Sequence, residues 1–98
     1  MVVTLINRFT LSGTPEAFEE AFERTARFVR GQPGFLRHTL SRHLEQDTSY
    51  VNVAVWESVE ALRAAVAHPA FRAHSGALRA LATSEAQVYG QRLTVEGT

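Results

Sequence analysis

At 98 residues the chain has room for one domain around one core, read here as residues 1–98, and a chain of this size buries only about 60–65% of its unfolded surface. Ten basic residues, all of them Arg, balance ten acidic ones, so the formal net charge is 0 and the basic footprint of a nucleic-acid binder is missing. The absence of Lys and Cys excludes a lysine Schiff base, disulfides, thiolate metal sites and a cysteine nucleophile. No apolar run approaches the ~20 residues of a membrane span. The opening MVVTLINRF also lacks the basic-then-apolar pattern of a signal peptide, so the expected location is the cytoplasm.

Residues 3 to 11 alternate, with Val3, Leu5, Asn7, Phe9 and Leu11 on one face, and predict a half-buried strand. Ser12-Gly13 breaks it. Thr14 then offers an N-cap, Pro15 suits the first helical position, and Glu16, Glu19 and Glu20 sit at the positive end of the dipole. Phe18, Ala21, Phe22, Ala26, Phe28 and Val29 carry the apolar stripe of a helix to about Arg30. Gly31-Gln32-Pro33-Gly34 stops it. Residues 35 to 44 predict a second strand, with Phe35 on one face and Leu36, His38 and Leu40 on the other; a polar turn over 45–48 leads into a third strand over 49–56. Ser58 caps a further helix, Pro69 interrupts it and restarts it, and Phe71, His74, Leu78 and Leu81 fall on one helical face. Ala86 to Val95 predicts the last strand.

The order β-α-β-β-α-β predicts an α+β, ferredoxin-like fold: a four-stranded antiparallel sheet with helices on one face. The bare face needs cover, and a second copy packing sheet on sheet provides it, so a homodimer is expected.

Both asparagines of the chain, Asn7 and Asn52, fall within strands, where Asn is depleted. Each is either satisfied by backbone or a partner subunit, or planted in a pocket. An uncharged carboxamide in a dry pocket suits hydrogen bonding to a ligand oxygen or to a developing enolate. Trp56 shares the face of Asn52; it is either core or a flat wall for a polycyclic aromatic ligand, and its indole N–H needs a partner if buried. His74 reads as a core or rim histidine, a general base, or an axial haem ligand. His38 and His43 fall on opposite faces of the second strand, and His68 lies beside a loop proline. No HExxH, paired-carboxylate, GxGxxG, GxxxxGK or nucleophile-elbow pattern occurs, so metal, nucleotide and serine-hydrolase readings lack support.

Ile6-Asn7-Arg8-Phe9, Gln32-Pro33-Gly34-Phe35, Tyr50 to Ser58 (YVNVAVWES) and His68-Pro69-Ala70-Phe71 with His74 carry a resemblance. Over residues 3 to 95 the chain resembles the antibiotic-biosynthesis monooxygenase family of dimeric ferredoxin-like proteins. Residues 30–40, 49–56 and 77–85 look most like the anthrone oxygenases of aromatic polyketide pathways, which oxidise an anthrone to an anthraquinone with O₂ and use no flavin, haem or metal. The resemblance implies a homodimer binding a polycyclic aromatic substrate and O₂, without cofactor. It implies catalytic roles for Asn7, Asn52 and Trp56, with Phe35, Phe71, His74 and Arg79 as candidate substrate-binding residues. A Tyr used by relatives acting on other polyketides falls at Leu62, a departure from their pattern. The alternatives are a haem-degrading oxygenase, matched at Asn7 and His74 but with Ala65 where that branch has its Trp, and a non-catalytic ligand-binding dimer.

Overall fold

A computed structural model describes residues 1–98. Strands β1 (Val3–Leu11), β2 (Phe35–Arg42), β3 (Ser49–Trp56) and β4 (Ala82–Gly90) form one antiparallel sheet in the order β2-β3-β1-β4. Helices α1 (Pro15–Val29), α2 (Val59–Ala67) and α3 (Pro69–Leu81) complete the βαββαβ order of a ferredoxin-like fold. No helix is long and apolar enough to cross a membrane.

The helix signals act where expected. The Thr14 hydroxyl accepts a hydrogen bond from Ala17 N at 3.1 Å, and Ser58 Oγ accepts one from Ala61 N at 3.1 Å. Each cap satisfies a backbone donor that the helix itself leaves free. Pro69 does more than restart a turn: His68 is extended between α2 and α3, and its Nδ1 accepts from Ala70 N at 3.0 Å to cap a 13-residue helix.

Gly34 closes the turn from α1 into β2 at φ +84°, where a Cβ would lie 2.6 Å from that of Ala61. Gly34→Ala combines left-handed backbone strain with a clash against α2, and should cost at least about 1–3 kcal/mol. A urea titration that finds the variant as stable as the parent would contradict this.

The last strand departs from expectation. It spans Ala82–Gly90 rather than Ala86–Val95, starting directly where α3 ends. Its register explains the shift: Leu11 pairs with Ala82 and Val3 with Gly90, so the ladder runs out at the start of β1. Gln91 N still reaches Val2 O at 3.1 Å; Leu93 and Val95, whose alternation suggested a strand, have no register partner and are exposed.

Two apolar clusters form between sheet and helices. Phe9, Leu11, Phe18, Ala21, Tyr50 and Leu78 build one; Val3, Ala54, Trp56, Leu62 and Ala65 build the other. Phe18 is fully buried, with ring centroids 5.1 Å from Phe9 and 5.0 Å from Tyr50. The Tyr50 hydroxyl donates to Glu19 on α1. Burial and, after it, the Glu19 carboxylate raise the Tyr50 pKa above its ordinary value, with Arg42 opposing them.

Candidate active site

A cavity of about 100 Å³ lies between the two clusters, under the helices. Its floor is the central pair of strands. Asn7 and Asn52 are direct register partners across β1 and β3, on the helix-facing side. Side chains paired in this way stand about 4.5–5.5 Å apart at Cβ. Ala54 and Trp56 continue the same face of β3, and Leu5 and Phe9 that of β1. Phe22, Thr25 and Val29 of α1, Leu62 and Val66 of α2, and Phe71 and Leu78 of α3 close it.

The walls are overwhelmingly apolar, which makes the exceptions informative. Asn7 Oδ1, Asn52 Oδ1, Trp56 Nε1 and His38 Nδ1 are buried without any hydrogen-bond partner, and all four residues line this cavity. A buried polar atom left unpaired costs about 1–3 kcal/mol, and native interiors contain few of them. Four around one void make it the candidate site of the molecule. The set pairs hydrogen-bond acceptors with an N–H donor and carries no fixed charge. It therefore fits an aromatic guest bearing oxygen substituents, and it supplies no acidic or thiolate cluster for a metal; no group of three potential metal-ligating side chains occurs in the molecule.

The sequence-derived candidates divide. Asn7, Asn52, Trp56, Phe35 and Phe71 line the cavity together. Phe35 arrives there by an irregularity. The register of β2 against β3 shifts between Phe35 and Arg37, a bulge that leaves Leu36 exposed and turns Phe35 to the same face as His38. Its ring meets Trp56 edge-on, with centroids 5.2 Å apart.

His74 and Arg79 do not line the cavity, contrary to expectation. Both are exposed. His74 packs against Phe28 at 5.9 Å, and its backbone carbonyl accepts from Thr25 Oγ1 at 3.3 Å. Arg79 donates to Ser75 Oγ at 2.9 Å. The inward face of α3 runs through Phe71, Ser75 and Leu78, and a small polar Ser at its centre hides that face from a reading based on hydrophobicity. The haem alternative thereby loses the axial ligand it needed.

Sequence reasoning passed over His38 and Thr25. Thr25 is buried and ties α1 to α3 while lining the cavity. The signal for His38 was its place two residues from Leu40 on an alternating strand, masked because the bulge upsets the alternation at Leu36.

With this geometry in view, the comparisons with known proteins are decisive for kinship. Residues 1–77 match the family described as antibiotic biosynthesis monooxygenase. The chain belongs to that family. It is 53% identical over 93 residues to deoxynogalonate monooxygenase of Streptomyces nogalater, covering 95% of this chain and 79% of that protein. It superposes on the crystal structure of SnoaB, described as a cofactor-independent oxygenase from the same organism, with a TM-score of 0.94, 51% identity and 98% of each chain covered. The fold extends to remoter members, among them a structure from Caulobacter crescentus CB15 with a TM-score of 0.82 at 18% identity, covering 94% of this chain and 91% of that one.

Proposed function

We propose that the protein is a cofactor-independent monooxygenase that oxidises an anthrone-type aromatic polyketide to a quinone with O₂. The observation that carries this reading is the convergence of four unpartnered buried polar atoms on one apolar cavity. The likeness to a cofactor-independent oxygenase along 98% of the chain supports it.

The chemistry follows from the substrate. The CH₂ of an anthrone lies between two aryl rings, opposite a ketone with which its carbanion is conjugated as an enolate. It ionises readily, and the resulting carbanion is electron-rich enough to pass one electron to O₂. The two radicals combine into a peroxide, and loss of one water leaves the quinone. Substrate and O₂ thus balance against quinone and water with no further reductant. The protein's work is to bind the flat ring system, exclude water and stabilise negative charge on oxygen. Asn7 and Asn52 donate through their amide N–H groups to the enolate or peroxide oxygen, and their buried oxygens accept from hydroxyl groups of the substrate. Trp56 is the aromatic wall, and its indole N–H is aimed at an oxygen substituent or the peroxide.

The cavity is smaller than the roughly 300–1,000 Å³ of ordinary ligand sites. A polycyclic guest enters by displacing α2 and α3, which join at His68 and contribute Leu62, Val66 and Phe71 to the roof. On the bare face of the sheet, Ile6, Val51 and Val53 lie beside Arg8 and Glu85, themselves register partners. A second copy of the chain covers this face in a homodimer.

The test is O₂ consumption and quinone absorbance after adding a polyketide anthrone to chelator-treated, flavin-free protein whose mass in solution is measured by sedimentation. Rapid quinone formation by a dimer is the expected result. A rate no greater than spontaneous autoxidation across several anthrones would favour a non-catalytic binding role.

A further inference from the structure

We infer that His38 is the catalytic base that removes the substrate proton, a role that rests on the oxygenase reading above. Carbanion chemistry needs a proton acceptor, and the cavity offers few. Among the side chains that line it, His38 alone is ionisable; the others are apolar, carboxamide, hydroxyl or indole groups.

The remaining histidines have other occupations. The Nδ1 of His43 accepts from Glu45 N and Gln46 N at 3.0 and 3.1 Å in the β2–β3 turn. His68 caps α3, and His74 rests on Phe28 outside the cavity. His38 has a buried Nδ1 with no partner at all. Its ring is held between Phe22 of α1 and Phe35 of its own strand, with centroids 5.7 Å from each. Its register partner on β3 is Ala54, flanked on the same face by Asn52 and Trp56. The imidazole is thus positioned by aromatic packing rather than by hydrogen bonds. An unpartnered, buried ring nitrogen on a residue lining a largely apolar cavity is poised to accept a proton where two carboxamides can stabilise the charge left behind.

In the step assigned, the neutral imidazole takes the proton of the acidic C–H, and the C–H electron pair remains on the substrate as the enolate. O₂ then accepts one electron from the enolate, and recombination forms the C–O bond of a peroxide anion. The imidazolium returns its proton to the peroxide, giving the hydroperoxide and neutral His38. The second hydrogen of that carbon then leaves as a proton and the distal oxygen as hydroxide, so the C–H and O–O bonds break, the quinone C=O forms and one water is released.

The experiment compares the parent protein with His38→Gln and His38→Ala, using an anthrone carrying protium or deuterium at the reacting carbon. Both variants are checked by thermal denaturation, and substrate binding is followed by quenching of Trp56 fluorescence under anaerobic conditions. The expected result is binding retained, turnover lowered about 10²–10⁴-fold, an enlarged deuterium isotope effect, and partial recovery with added imidazole in His38→Ala, where the truncation leaves space for the ring. Turnover undiminished in both folded variants overturns the assignment and leaves the oxygenase reading intact. A loss with no change in isotope effect and no imidazole recovery also overturns it, because a packing defect behaves that way. Absence of protein-dependent O₂ uptake by the parent overturns the oxygenase reading and this assignment together.

Discussion

Asn52→Ala should lower quinone formation about 10²–10³-fold, and Asn7→Ala by a similar factor, the usual loss on removing one donor from a site that stabilises developing oxyanion charge. The carboxamides face each other across the two central strands, so one substrate oxygen can be reached by both. Their effects should then be less than additive: the double variant should lose little beyond the worse single one. Stability should move the other way. Each carboxamide oxygen is buried and unpaired, which costs about 1–3 kcal/mol. Asn52→Leu, which keeps the branched outline and has the cavity to grow into, relieves that cost, so it should be inactive yet at least as stable as the parent by thermal denaturation. An Asn52→Leu protein that lost activity and melted far lower would mark Asn52 as a structural residue instead.

The two residues could be picked out of the sequence for a local reason. Asn interrupts an otherwise apolar strand face, which no packing argument favours. Trp56, on the face of Asn52, and the βαββαβ order were legible for similarly local reasons: period-two alternation, Thr14 and Ser58 caps, and Pro15 and Pro69 at helix starts. What could not be read needed long-range pairing. The opposition of Asn7 to Asn52 depends on the β1–β3 register, the facing of Phe35 on a bulge, and the start of β4 on where β1 offers backbone to pair with. The placement of His74 failed for a geometric reason. Successive helical residues are about 100° apart, and Ser75, not His74, takes the inward position on α3, with no hydrophobic signature to announce it.

Phe18→Ala should carry the largest stability penalty of any single truncation, about 3–5 kcal/mol. Phe18 is the one large side chain with no solvent exposure, and it joins α1 to both central strands through Phe9 and Tyr50. Against the roughly 5–15 kcal/mol that holds a domain of this size together, such a loss lowers the melting temperature by tens of degrees. Its consequence reaches the candidate site by a physical route. The same helix carries Phe22, Thr25 and Val29 into the cavity, and the Phe22 ring packs at a tilt against both Phe18 and His38. A loosened α1 therefore unseats the His38 ring and admits water to the carboxamides, so turnover should fall even below the melting transition. Phe18→Leu, which keeps most of the volume, should restore the greater part of both stability and rate. If Phe18→Ala melted like the parent, the aromatic cluster would not be what fixes the helix to the sheet. If it melted early but turned over normally at low temperature, the seating of α1 would be irrelevant to the chemistry, and the cavity would owe its shape to the sheet and to α2 and α3 alone.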